Sequence, residues 1–145
     1  MRIASVTALL AGVAVLTTGV AAPAQDRAAV KVTPLASTNV TATGQPLKLP
    51  ENPAMVSASR YVIAPGARLP VHKHPHPRYA FVVAGNLTVY DADSGQRFDY
   101  GPGDFIVEIL DGWHYGENNG SEDVVLLVVD QTPDGHPSNT VIRPQ

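Results

Sequence analysis

The chain has 145 residues, 44% of them hydrophobic, with ten Lys and Arg against 13 Asp and Glu and a net charge of −3 when histidine is neutral. That length fits one domain, and a mildly acidic balance without a basic run argues against nucleic acid or anionic membrane surfaces as partners. Cysteine is absent, which excludes disulfides, thiolate ligands and a lipid anchor through sulfur.

Residues 1–24 read as a signal peptide. Arg2 gives a short positive start, Ile3 to Val20 is apolar and uncharged, and Ala22-Pro23-Ala24 fits small-x-small cleavage, placing the mature N-terminus at Gln25. The apolar run is short for a membrane span and diluted by Thr, Ser and Gly, so no stable anchor is expected. The mature chain is then periplasmic or secreted. Its net charge is −4, since losing Arg2 leaves nine basic residues against 13 acidic ones.

Residues 25–53 read as an N-terminal arm with a strand near Val30–Thr33. The polar, proline-containing stretch from Thr33 to Asn52 is expected to wrap the domain body or a neighbouring subunit. Residues 54–131 hold the body. Strands are predicted at Ala54–Ile63, Arg78–Ala84, Asn86–Tyr90, Gln96–Tyr100, Asp104–Ile109, His114–Glu117 and Val124–Asp130. Pro65-Gly66, Gly85-Asn86, Asp93-Ser94-Gly95, Gly101-Pro102-Gly103 and Asn118-Asn119-Gly120 mark the turns between them. No stretch keeps helical periodicity. Closely spaced short strands read as an all-β sandwich or barrel. Residues 132–145 read as a tail, either loop or frayed end.

The chemistry concentrates in His72-Lys73-His74-Pro75-His76, with His114 standing 40 residues after His74. Histidine is the commonest transition-metal ligand near neutral pH. At i and i+2 on an extended segment, His72 and His74 face the same way. His114 can join them only if the fold brings a second strand alongside.

Gly66-x5-His72-x-His74-x3-Arg78-x6-Gly85 resembles the first motif of the cupin superfamily, G-x5-H-x-H-x3,4-E-x6-G. Tyr100-Gly101-Pro102-Gly103-Asp104-Phe105 with Gly112-Trp113-His114-x3-Asn118 resembles the second, G-x5-P-x-G-x2-H-x3-N. The resemblance spans roughly Ala64 to Val129. It implies a single jelly-roll barrel, homodimerisation, and one divalent metal held by His72, His74 and His114. Asn118 is then expected to brace the turn after its strand.

Two departures stand out. The family's glutamate position is Arg78, which cannot ligate a metal, leaving a three-His site or a four-His site that adds His76. The second motif has Leu110 where proline is usual and one residue fewer between Gly112 and His114, which suggests a shifted loop. An imidazole-rich, carboxylate-poor set favours Cu, Zn, Fe or Ni over Mn or Mg. Its uncompensated charge attracts an anion. Arg78 is a candidate anchor for an acidic substrate, or else it turns outward or pairs with a carboxylate such as Glu108 or Asp104. Glu108 is a candidate ligand or general base if it faces the cavity, and otherwise a rim or strand-surface carboxylate. Tyr79 is a candidate hydroxyl donor or a core residue. Trp113 and Tyr115 lie opposite His114 and either stack a ring or pack.

The function expected from these residues is that of an exported mononuclear metalloenzyme. Its chemistry is oxygenase- or oxidase-like, or Lewis-acid in kind, on a small anionic, phenolic or sugar-derived substrate. The alternatives are a non-catalytic metal or ligand binder, a secreted copper cupin oxidising polysaccharide, and a metal-free cupin in which Arg78 and the histidines hold a carboxylate.

Overall fold

Runs of alternating apolar and polar residues broken by glycine turns give strands here rather than helices. The computed structural model describes residues 30–51, 53–136 and 138–145. The expected signal peptide lies outside them. Among the described residues there is no helix, and none is long and apolar enough to cross a membrane. Thr33–Gln145 forms one unit.

Nine strands build that unit: β1 Ala54–Ile63, β2 His72–Lys73, β3 Arg78–Ala84, β4 Leu87–Asp91, β5 Arg97–Tyr100, β6 Phe105–Val107, β7 His114–Glu117, β8 Val124–Pro133 and β9 Val141–Ile142. They form two antiparallel sheets of a jelly roll, ordered β1-β8-β3-β6 and β5-β4-β7-β2-β9. Alternation along β3 and β8 turns Ala80, Val82, Val124, Leu126 and Val128 inward, where they meet Ile63, Leu87 and Ile106 in the core. Gly85 ends β3 at φ 74°, and a Cβ there would lie 2.5 Å from Asp123 O, so this turn requires glycine. Asn118 is fully buried and donates through Nδ2 to Ile63 O and Glu122 O, which braces the turn between β7 and β8.

Two sequence expectations change, and of the two placements open to the arm one is found. Val30–Thr33 forms no strand, because no neighbour pairs with it and Val30 and Val32 stand largely exposed. The tail is not frayed. β8 runs on to Pro133, and Val141–Ile142 pairs with His72–Lys73 as an edge strand. The arm lies on its own barrel. Ala42 N–H donates to Val107 O, and the Gln45 amide exchanges hydrogen bonds with Leu110 N–H and C=O at 3.1 and 2.7 Å, standing in for a missing strand neighbour.

Candidate metal centre

His72 on β2 stands directly opposite His114 on β7, a register that sets both side chains on one face. His74 lies two residues on, beside Leu110. The three rings meet with centroids 4.6 to 4.9 Å apart, all buried. One nitrogen from each lies within 4.8 Å of the others.

The outer contacts set the protonation of each ring. His72 Nδ1 lies 2.8 Å from Pro70 O, His74 Nδ1 2.7 Å from Asn139 O, and His114 Nδ1 2.8 Å from Gly112 O. A carbonyl oxygen only accepts, so each Nδ1 carries the proton, and in a neutral ring Nε2 carries the lone pair. This is the arrangement in which a carbonyl orients an imidazole for a metal. Burial, helped by the neighbouring imidazoles against the pull of the Pro70 carbonyl, lowers the His72 pKa to about 4, so the ring is neutral near pH 7. His114 Nε2 is the one buried side-chain nitrogen or oxygen among the described residues with no hydrogen-bond partner. An orphaned lone pair facing two other histidines fits a metal ion.

Glu108 follows β6 and turns inward. Its Oε2 lies 3.1 Å from His74 Nε2 and 3.4 Å from His114 Nε2, with 19% of the side chain exposed. It is therefore no rim or strand-surface carboxylate. Burial alone would raise its pKa, but the imidazoles of His114 and His74 outweigh that and hold it well below the usual carboxylate range. Arg78, in the family's glutamate position, pairs with Asp130 rather than with Glu108 or Asp104. Nε and Nη2 donate to Asp130 Oδ1 and Oδ2 at 2.7 and 2.9 Å, a bidentate geometry. Its remaining edge, Nη1, stands 3.4 Å from His74 Nε2. Burial opposes the guanidinium charge, but Asp130 and the field of Glu108 overcome this and raise the pKa.

Asn139, in the segment that reads as a tail by sequence, ties the two parts together. Its carbonyl holds His74, and its Nδ2 donates to Asp130 Oδ1 at 2.7 Å and to His76 O at 3.0 Å. No motif marks it, and only the β2–β9 pairing brings it in.

His76 does not join the three. Its ring meets His136 at 4.7 Å between centroids, half-buried near the surface. Tyr79 is turned away because its neighbour Arg78 faces inward. Its hydroxyl donates to Gln131 Oε1 and its ring stacks on Phe105. Trp113 packs beneath Lys73 and Arg143, and Tyr115 stacks on Tyr90 beneath Arg68. Neither lines the cavity. The loop before His114 is not shortened either. Counting from Gly103, the family's next glycine falls at position 111, and Asp111 adopts that left-handed backbone at φ 52°.

Beside the histidines opens a narrow cavity of about 40 Å³. His72, His114, Arg78 and Glu108 supply its polar wall. Leu69, Leu87, Val89, Ile106, Ile109 and Leu126 supply most of the remainder.

The cupin domain family model matches residues 59–130, and the chain belongs to the cupin superfamily. Among solved structures it is similar to an oxalate decarboxylase from Lactobacillus farciminis in complex with formate, with TM-score 0.51 and 26% identity over 60% of this chain. The chain spans only 26% of that enzyme's length. It is also similar to the protein BH2720 from Bacillus halodurans, with TM-score 0.50 and 22% identity, covering 60% of this chain and 69% of the other. A cupin 2 conserved barrel domain protein from Salinispora arenicola overlays with TM-score 0.48 and 21% identity, covering 55% and 64% of the two chains. No functionally curated protein matches the sequence.

Proposed function

We propose that this protein is an exported, metal-dependent cupin enzyme acting on a small carboxylate-bearing substrate. The observation that carries the reading is the convergence of three imidazole nitrogens beside a cavity that His72 and His114 line, each ring fixed by a backbone carbonyl. A divalent metal held by His72, His74 and His114 would polarise a substrate oxygen or exchange electrons with it. Arg78 turns a donor edge toward the same wall, held in place by Asp130. A substrate carboxylate can accept from that edge while its other oxygen faces the histidines. The apolar lining excludes water and strengthens both contacts. The oxalate decarboxylase from Lactobacillus farciminis, whose structure holds formate, supports a small carboxylate as the substrate class.

The test is metal content on tag-free protein reconstituted with Cu, Zn, Fe, Ni and Mn. It is followed by a screen of small mono- and dicarboxylates and keto acids for product formation and oxygen uptake. One metal per chain with turnover of a carboxylate is the expected result. Protein that retains no metal under any condition would overturn the reading.

A second reading is a non-catalytic binder. The cavity favours it in one respect, since with the histidines holding the metal, Glu108 is the one carboxylate left as a general base among the described residues of the lining. Tight binding of a carboxylate without product would select it. We further propose a homodimer packed through the outer face of β1-β8-β3-β6, where Val62, Leu127 and Phe105 are 51%, 46% and 42% exposed between inward-facing core residues. Sedimentation at the monomer mass would overturn that arrangement.

A further inference from the structure

A polar row crosses the first sheet at the level of the histidines. Ser57 stands opposite Asp130, and Asp130 opposite Arg78. The β3–β6 register, which pairs Tyr79 with Val107, places Glu108 next to Arg78 on the far side, and Glu108 N–H donates to Arg78 O at 3.0 Å. Directly opposed residues share a face and have Cβ atoms about 5 Å apart. Glu108 thus occupies the strand position adjacent to the one where the superfamily's first motif carries its glutamate.

We infer that Glu108 is a fourth, carboxylate ligand of the metal centre, moved by one strand from position 78; the inference rests on the metal reading above. The distances fit. Donor atoms about 2.1 Å from a common ion lie about 3.0 Å apart at right angles and about 3.4 Å apart at tetrahedral angles. Glu108 Oε2 lies 3.1 and 3.4 Å from the Nε2 atoms of His74 and His114. A cation satisfies all of these atoms at once. Each Nδ1 is committed to a carbonyl, so without an ion His74 or His114 meets the carboxylate only by taking a second proton at Nε2, whereas an ion held among the Nε2 atoms and Glu108 Oε2 takes the place of that proton.

The charge order along the row explains why the carboxylate stands at 108. Asp130 already occupies one side of position 78, and a glutamate there would face a like charge across the strand pair. Arginine neutralises Asp130 through two hydrogen bonds, and its remaining edge meets His74 rather than Glu108. The donor set becomes three neutral nitrogens and one anionic oxygen. That lowers the net charge of the centre and opens it to the harder ions Mn²⁺ and Fe²⁺ alongside Zn²⁺ and Cu²⁺.

The experiment is a titration of the tag-free protein with Zn²⁺ against a competing chelator and with Co²⁺ by visible absorption. Wild type is compared with Glu108→Gln, and the crystal structure of Zn²⁺-loaded wild type is determined alongside. Glu108→Gln is expected to weaken Zn²⁺ binding at least tenfold and to change the Co²⁺ ligand-field bands. The loaded wild type is expected to show a Glu108 oxygen at bonding distance from the ion. Unchanged affinity and bands in Glu108→Gln would overturn the inference while leaving the metal reading intact. Should that variant not fold, a Glu108 carboxylate beyond bonding distance in loaded wild type would overturn it alone. Failure of wild type to bind Zn²⁺ or Co²⁺ would overturn both.

Discussion

The molecule holds two groups of touching histidines that look alike by distance and differ in everything else. In the buried group, His72, His74 and His114, ring centroids lie 4.6 to 4.9 Å apart, and in the surface pair, His76 and His136, they lie 4.7 Å apart. The buried rings each have Nδ1 tied to a carbonyl, and two face a carboxylate. No side-chain hydrogen bond fixes either ring of the surface pair among the described contacts; His76 is held through its backbone by Asn139. Proximity alone does not make a metal site. The contacts behind the rings set which nitrogen carries the lone pair and where it points.

Removing a ligand should have the largest effect. His114→Ala and His72→Ala are each expected to abolish stoichiometric Zn²⁺ binding by equilibrium dialysis. The loss should exceed the roughly 10–100-fold seen when only an outer contact is removed. Retention of one Zn²⁺ per chain in either variant would erase the distinction between the two groups.

Next comes the shell that holds the buried group. Arg78 and Asp130 are both largely buried, at 6% and 13% side-chain exposure. Asp130→Ala strands a buried guanidinium, which costs about 3–5 kcal/mol in comparable buried pairs. Urea denaturation should show a loss of that order, and a change below about 1 kcal/mol, the range of an exposed pair, would mean that the pair is solvated. Asn139→Ala removes the side chain that positions the His74 carbonyl partner and is expected to weaken metal binding by roughly 10–100-fold. Its effect should fall on affinity more than on stability.

Acid should also separate the groups. The His72 pKa falls from 6.5 to about 4, through burial first and the neighbouring imidazoles second. Between those values the unfolded chain binds a proton that the folded, metal-free protein does not, so stability falls as pH drops from 6.5 toward 4. Glu108, whose folded pKa is also depressed, contributes stability that is lost in the same direction below its ordinary value of 4.5. Denaturation midpoints of metal-free protein should decline from pH 7 to pH 5, while His72→Asn flattens the decline. A pH-independent midpoint in wild type would contradict a neutral buried ring.

The legibility of this fold divides along the same line. β1, β3 and β7 match the sequence reading residue for residue, because the proline, glycine and asparagine turn signals that bound them are local information. The three-histidine cluster is legible through motif spacing, and Arg78 stands out as a misfit. The supporting shell was not legible. Asp130 lies 52 residues from Arg78 and Asn139 lies 65 from His74, and neither position carries a pattern. β2 and β9 contain two residues each, too few for periodicity to register. Glu108 could have been read inward only from the strand register that pairs it with Arg78, since its neighbours Val107 and Ile109 are both buried and break the alternation.

The smallest expected effect is the sharpest check on the comparison. His76 sits two residues from His74, between two prolines, and by sequence is as good a ligand as its neighbours. Pro75 and Pro77 fix the backbone on either side, while Asn139 accepts from the His76 N–H through Oδ1 and donates to its C=O. The ring is thereby directed toward His136 and away from the cavity. The backbone does this work, so the imidazole itself is dispensable. His76→Ala should leave the affinity and stoichiometry of the buried site unchanged by the same dialysis that His114→Ala fails. A tenfold loss in His76→Ala would mean that the loop reorients on loading and that the centre takes its fourth ligand from position 76 rather than from Glu108.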